Sequence, residues 1–183
     1  MLTGTYVGLR AIERKDLTQL LEWRNKPELR LYFREYRELN TENQNIWFEK
    51  YVMQDSNTRM FAIIELETNE LIGACGLCYI DWVNRNADFS IYIGKNNLYI
   101  DDKYAVDAGK VMEQYGFEEL NLHRLWAEIY SIDKNKIVFF EKLCFIKEGY
   151  FKDTHWTHGE WVDSIYYAKI NNSKEAEYYE KIR

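Results

Sequence analysis

The sequence predicts an α/β (α+β) chain: a mixed, mostly antiparallel sheet of about seven strands with helices packed on it. Three observations predict it. Segments of two-residue apolar alternation are interleaved with segments of helical periodicity, in the order β-α-α-β-β-β-α-β-α-β-β. Three of the strands follow one another through hairpin-sized connections, which makes an antiparallel meander. With 183 residues, 46% hydrophobic and 30% charged, the chain has a globular balance and enough length for one substantial core.

Each element follows from its residues. Thr5 to Ile12 alternates, with Val7, Leu9 and Ala11 on one face, and reads as a strand. Asp16 is a good N-cap for a short helix through Leu20, Leu21 and Trp23. Pro27 opens a second helical turn, because its fixed φ suits a first helical position. Thr41-Glu42-Asn43-Gln44 has the form of a capping box, and Trp47, Phe48, Tyr51 and Val52 follow at helical spacing to about Met53. Arg59 to Glu65, Leu71 to Ile80 and Asn86 to Ile93 form the meander. Asp101-Asp102 signals the start of a helix over Lys103 to Leu120, with an apolar stripe of Ala105, Ala108, Val111, Met112 and Tyr115. His123 to Tyr130 alternates again, and Asp133 to Leu143 is a short helix. Phe145 to Phe151 and Trp161 to Ala168 close the chain as a hairpin. With a single Pro and no composition shift, residues 1–170 read as one domain, and 171–183 as a charged tail that is helical if it docks.

Composition excludes several classes. A net charge of −6 argues against coating nucleic acid, which needs a Lys/Arg excess. No stretch approaches the roughly 20 apolar residues that span a bilayer, so no membrane partner is expected. Three Cys, an odd number, point to reduced thiols and a cytoplasmic setting. Cys75 and Cys78 have C-x-x-C spacing, but in a strand they face opposite sides and cannot grip one ion, so no metal is expected. Arg30, Arg34 and Arg37 lie among Glu28, Glu35 and Glu38 and read as a solvated face of mixed charge.

One polar row stands out. Asp88, Ser90 and Tyr92 share one face of their strand, while Ala87, Phe89, Ile91 and Ile93 take the other. Asp88 is the preferred general base for an amine, or half of a cross-strand pair. Tyr92 or Tyr130 is the candidate acid, with simple packing as the alternative for each. Glu128 faces away from Leu125, Ala127 and Ile129, toward a cleft or toward solvent.

The element order resembles the GNAT superfamily of acyl-CoA N-acyltransferases, in the branch of ribosomal-protein-alanine and spermidine acetyltransferases. Leu71-Ile72-Gly73, Ala87 to Gly94, Tyr115 to Arg124, Phe140 to Phe145, Glu148-Gly149 and Gly159 to Asp163 carry the resemblance. It implies helices on both faces of the sheet, acetyl-CoA as co-substrate, and a primary amine of a small molecule or a peptide N-terminus as acceptor. It leaves a homodimer open. It also implies a donor seat on Ile91, Tyr92 and Ile93, on the helix start at Asp101, Asp102, Lys103 and Tyr104, and near Asp133 and Phe140. Backbone N–H groups at Ile91 and Tyr92 are implied to polarise the thioester. The acceptor side is implied to involve Trp23, Arg24, Ser90, Glu128, His155 and Trp156, with Arg24 either holding an anionic group or snorkelling beside a packed Trp23. Two departures oppose the family pattern. Asp101 and Lys103 stand where Gly is usual, so a carboxylate can cap the N–H groups that otherwise take a pyrophosphate. Phe140 stands where a proton-donating Tyr is usual. The alternative reading is a non-catalytic binding domain on the same fold that has lost CoA binding.

Overall fold

The structure, a computed structural model, describes residues 1–171. Almost all of the expected tail lies outside the described residues. The strands are β1 (Leu2–Thr3), β2 (Val7–Ala11), β3 (Arg59–Glu65), β4 (Leu71–Asp81), β5 (Asn86–Ile93), β6 (Arg124–Tyr130), β7 (Ile146–Thr157) and β8 (Glu160–Ile170). The helices are α1 (Leu17–Asn25), α2 (Pro27–Arg30), α3 (Thr41–Trp47), α4 (Tyr104–Gln114) and α5 (Lys134–Lys142). All eight strands form one sheet in the order β1-β2-β3-β4-β5-β6-β8-β7. Neighbours are antiparallel except β5 and β6, which run parallel across the α4 crossover.

Alternation along the strands divides the apolar residues between two cores. Ile63, Leu77, Phe89 and Ile91 face α4 and α5, packing on Ala105, Ala108, Met112, Phe139 and Phe140. Ala62, Ile64, Ala74 and Tyr92 face α1 to α3, packing on Leu20, Trp23, Leu29 and Phe48. Helices therefore cover both faces, as the resemblance implies. Trp23 approaches so closely that a Cβ at Gly94 would lie 2.0 Å from its ring, so only glycine fits at the end of β5.

Local starts differ from the sequence reading. The α3 cap is Asn40, not Thr41: its side chain accepts from Asn43 N–H at 2.9 Å, and Asn43 Oδ1 accepts in return from Asn40 N–H at 3.1 Å. Asp16 does not cap α1 through its side chain; it closes a preceding 3₁₀ turn on Glu13 N–H and pairs with Arg10 at 2.7 Å. The two-residue β1 was not expected. It is held because Asp107 of α4 accepts from the N–H groups of Thr5, Tyr6 and Val7 at 2.7–3.0 Å. The last hairpin is longer than read, its tight turn made by His158 and Gly159 with φ of 49° and 85°.

Candidate active site

β5 and β6 pair at Asn86–Arg124, Ala87–Leu125 and Asp88–Trp126, and then part. β5 stays with β4 as far as Ile93, and β6 stays with β8 as far as Tyr130. The gap between them opens a cleft of about 350 Å³, roofed by the loop after α2 and closed at one end by the start of α5.

Asp88 stands at the fork and is 5% exposed. Its Oδ2 accepts from Arg34 Nη1 at 2.7 Å, and its other oxygen has no hydrogen bond among the described residues. Burial pushes the Asp88 carboxyl above the ordinary Asp value, and the Arg34 guanidinium pulls it partway back. A β-bulge in β4, with Tyr79 at φ 51°, places the Tyr79 ring under Arg34 at 5.9 Å. Ser90 lines the same wall, one pleat further along. Cys75 points into the core and Cys78 into the cleft, on opposite sides as their spacing requires.

The β6 wall presents Glu128 and Tyr130. Glu128 lies 3.5 Å from Arg34 and accepts from Ser164 Oγ at 2.7 Å, so it faces the cleft. Tyr130 is stacked on His155 with ring centroids 3.9 Å apart. Its hydroxyl makes no hydrogen bond among the described residues, and burial pushes its pKa up to about 12. Trp156 lies in an adjoining groove with Arg30 and Tyr36, in edge contact with Trp161 rather than in the cleft.

The donor side is closed by the chain itself. Asp101 accepts from Lys103 N–H at 3.1 Å, Tyr104 N–H at 3.0 Å and Ala105 N–H at 2.8 Å, which takes the donors of the first two residues of α4. Asp102 turns away to Lys142 at 2.6 Å, and the Lys103 ammonium lies over the Tyr6 and Tyr104 rings. The segment before α4 folds back onto β5. Ile93 N–H donates to Tyr99 O at 2.7 Å, and Tyr99 N–H donates to Ile93 O at 2.8 Å. The Tyr99 ring is 4% exposed, stacks on Tyr32 at 4.6 Å and donates its hydroxyl to Asp133. Asp133 also caps α5 by accepting from Lys136 N–H at 3.0 Å. A donor seated on these groups, as the resemblance implies, would need them free; in this arrangement residues 95–103 occupy them.

Other expected positions sit elsewhere. Tyr92 shares the Asp88 face but packs between Trp23 and Phe33 in the second core, and burial pushes it up to about 12. It does not reach the cleft. Because Ile93 N–H faces the gap, alternation points Ile91 N–H the same way and Tyr92 N–H toward Ala74 of β4. Only the first of the two expected backbone donors is therefore available. Phe140 is wholly buried against Phe89, Phe139 and Phe145. Trp23 is a core residue, while Arg24, next to it, lines the cleft.

Sequence reasoning missed Arg34, Tyr99 and Lys136. Arg30 and Arg37 do pair with nearby Glu38 and Glu35, as a solvated face should. Arg34 instead turns inward to a carboxylate 54 residues away, and nothing local marks it.

Comparison with known proteins identifies the family. The family described as acetyltransferase (GNAT) domain matches residues 7–146. An uncharacterized N-acetyltransferase p20 of Bacillus licheniformis is 28% identical over 88% of this chain and 91% of its own length. The spermidine N(1)-acetyltransferase of Escherichia coli K12 is 29% identical over 87% of this chain and 83% of its own. The spermidine N-acetyltransferase of Vibrio cholerae, solved with CoA and spermine, superposes with a TM-score of 0.83 at 22% identity, over 91% of this chain and 96% of that one. The family match favours an acyltransferase over a binding domain. This chain, with its parted β5 and β6 and a carboxylate at the fork, belongs to the GNAT acetyltransferase family.

Proposed function

We propose that the chain transfers an acetyl group from acetyl-CoA to a primary amine held at the fork of the cleft, on a small molecule or a peptide N-terminus. The observation that carries this is Asp88: one oxygen is anchored on Arg34 and the other is free, beside the gap where β5 and β6 part. The free oxygen accepts the proton that the amine must lose to become a nucleophile. Ile91 N–H is the backbone group aimed at charge developing on the acyl oxygen. Tyr130 is the unbonded hydroxyl on the facing wall that can return a proton. Asp101 and Tyr99 must release the helix start and the β5 edge before a donor can occupy them.

The wider setting belongs to the same reading: one domain over 1–170, in the cytoplasm, acting as an oligomer. All three cysteines are free, and among the described residues no helix is long and apolar enough to cross a membrane. A Vibrio cholerae relative has been described as dodecameric, which supports assembly without fixing a stoichiometry here.

The test is thiol release from acetyl-CoA in the presence of a panel of primary amines. Turnover with at least one amine is expected. Absence of CoA release with every amine, at millimolar donor, would sink the reading.

A further inference from the structure

Two cations line the cleft with no carboxylate hydrogen-bonded to them among the described residues. The Arg24 guanidinium makes no hydrogen bond among the described residues. It lies over the Phe33 ring at 5.5 Å, and its Nε is buried with no partner. Lys136 sits over the Tyr99 ring at 5.3 Å and donates no hydrogen bond from its ammonium among the described residues; burial lowers its pKa, and Asp133 and Asp88 oppose this.

The carboxylates around them are already engaged. Asp88 and Glu128 share Arg34. Glu35 accepts from Arg37 N–H, Nε and Nη2 at 2.7–3.0 Å. Asp133 holds the start of α5 and the Tyr99 hydroxyl. A partly buried guanidinium with an orphaned N–H is a group awaiting an acceptor, because its desolvation is not offset within the chain.

We infer that the acceptor is an amine that also carries an oxyanion, a carboxylate or a phosphate, seated on Arg24 with Lys136 as the second cation. The inference rests on the acetyltransferase reading of this cleft and names its substrate class. A planar guanidinium suits a two-oxygen contact with either anion. A polyamine, the acceptor named for two of the relatives, carries no oxyanion and so leaves the Arg24 Nε–H without an acceptor, while Asp88 would still serve its reacting amine.

Matched amines test it. Butylamine is compared with 4-aminobutyrate, glucosamine with glucosamine 6-phosphate, and spermidine is included as the polycation. Each is measured by CoA release and, without donor, by calorimetric binding. The expected result is an anionic member preferred over its neutral twin by on the order of tenfold or more, the weight of one charge-assisted contact. The pair that shows the preference identifies carboxylate or phosphate. Arg24→Gln should bring the twins to near equality, and Arg24→Lys should keep part of the gap. Equal binding of the twins, or spermidine as the best acceptor, overturns the inference even if the Gln variant fails to fold. So does an Arg24→Gln variant that weakens both twins alike. Turnover of neutral amines without anionic preference removes this inference and leaves the reaction standing. Tighter binding of the anionic twin with no CoA release does the reverse.

Discussion

Asp88 keeps one oxygen on Arg34 and leaves the other free, which fixes its orientation without consuming it. Removing the base by Asp88→Asn should lower kcat by roughly 10²- to 10⁴-fold, read by thiol release; an unchanged rate would remove Asp88 from the chemistry. The pH profile carries a second check. The active form is deprotonated, so activity falls as pH drops through the Asp88 pKa, which burial has raised. The acid limb should therefore lie above the ordinary Asp value. Arg34→Gln removes the guanidinium that opposes this shift, so the limb should move further up, and a limb that moves down would contradict the pairing. The shared face of Asp88 and Ser90 was legible because strand alternation assigns faces, whereas for Glu128 alternation left cleft and solvent both open. Arg34 was not, because its partner comes from another part of the chain.

The segment from Ile93 to Tyr104 holds Asp101 and Lys103, one of the two places where the sequence departs from the pattern that its resemblance implies. Asp101 in the cap was legible, since a carboxylate just before a helix is an N-cap by its chemistry. The bridge between Ile93 and Tyr99 was not. It depends on Asn96, Asn97 and Tyr99 at φ of 54–55°, a region that a tyrosine seldom enters and that no spacing rule predicts. Asp101→Ala frees the donors at the start of α4. It should cost about 1 kcal/mol of stability in a denaturant melt. It should also tighten acetyl-CoA binding by calorimetry, since the competing carboxylate is gone. Loss of stability with no gain in donor affinity would show that the helix start is not where the donor binds.

At the scale of the whole molecule, the two cores lock the sheet between α1 to α3 and α4 to α5, and the polar ties across its edge hold the rest. The alternating sequence made that layering legible; β1 escaped because it rests on Asp107, a contact made about a hundred residues away. Glu65 fastens both ends of the departing segment, accepting from Lys95 at 2.7 Å and from the Tyr104 hydroxyl. The hydrogen bond from Lys95, followed by those from Tyr104 and Thr68, lowers the Glu65 pKa to about 2 from an ordinary 4.5. A lowered carboxylate pKa gives stability that is present above 4.5 and is lost as pH falls toward 2. The stability gap between the native chain and Glu65→Gln should accordingly narrow across that window in acid titrations; a gap constant with pH would refute the tie. The Asp101 cap has a further consequence. A carboxylate tethered two to four residues from the N–H groups it serves acts as a ligand at an effective concentration of millimolar or above. Small anions that imitate only the phosphate end of a donor cannot outcompete it in dilute solution. Only a molecule that gains contacts along the whole cleft can displace this internal occupant, so the chain discriminates by length before it discriminates by chemistry.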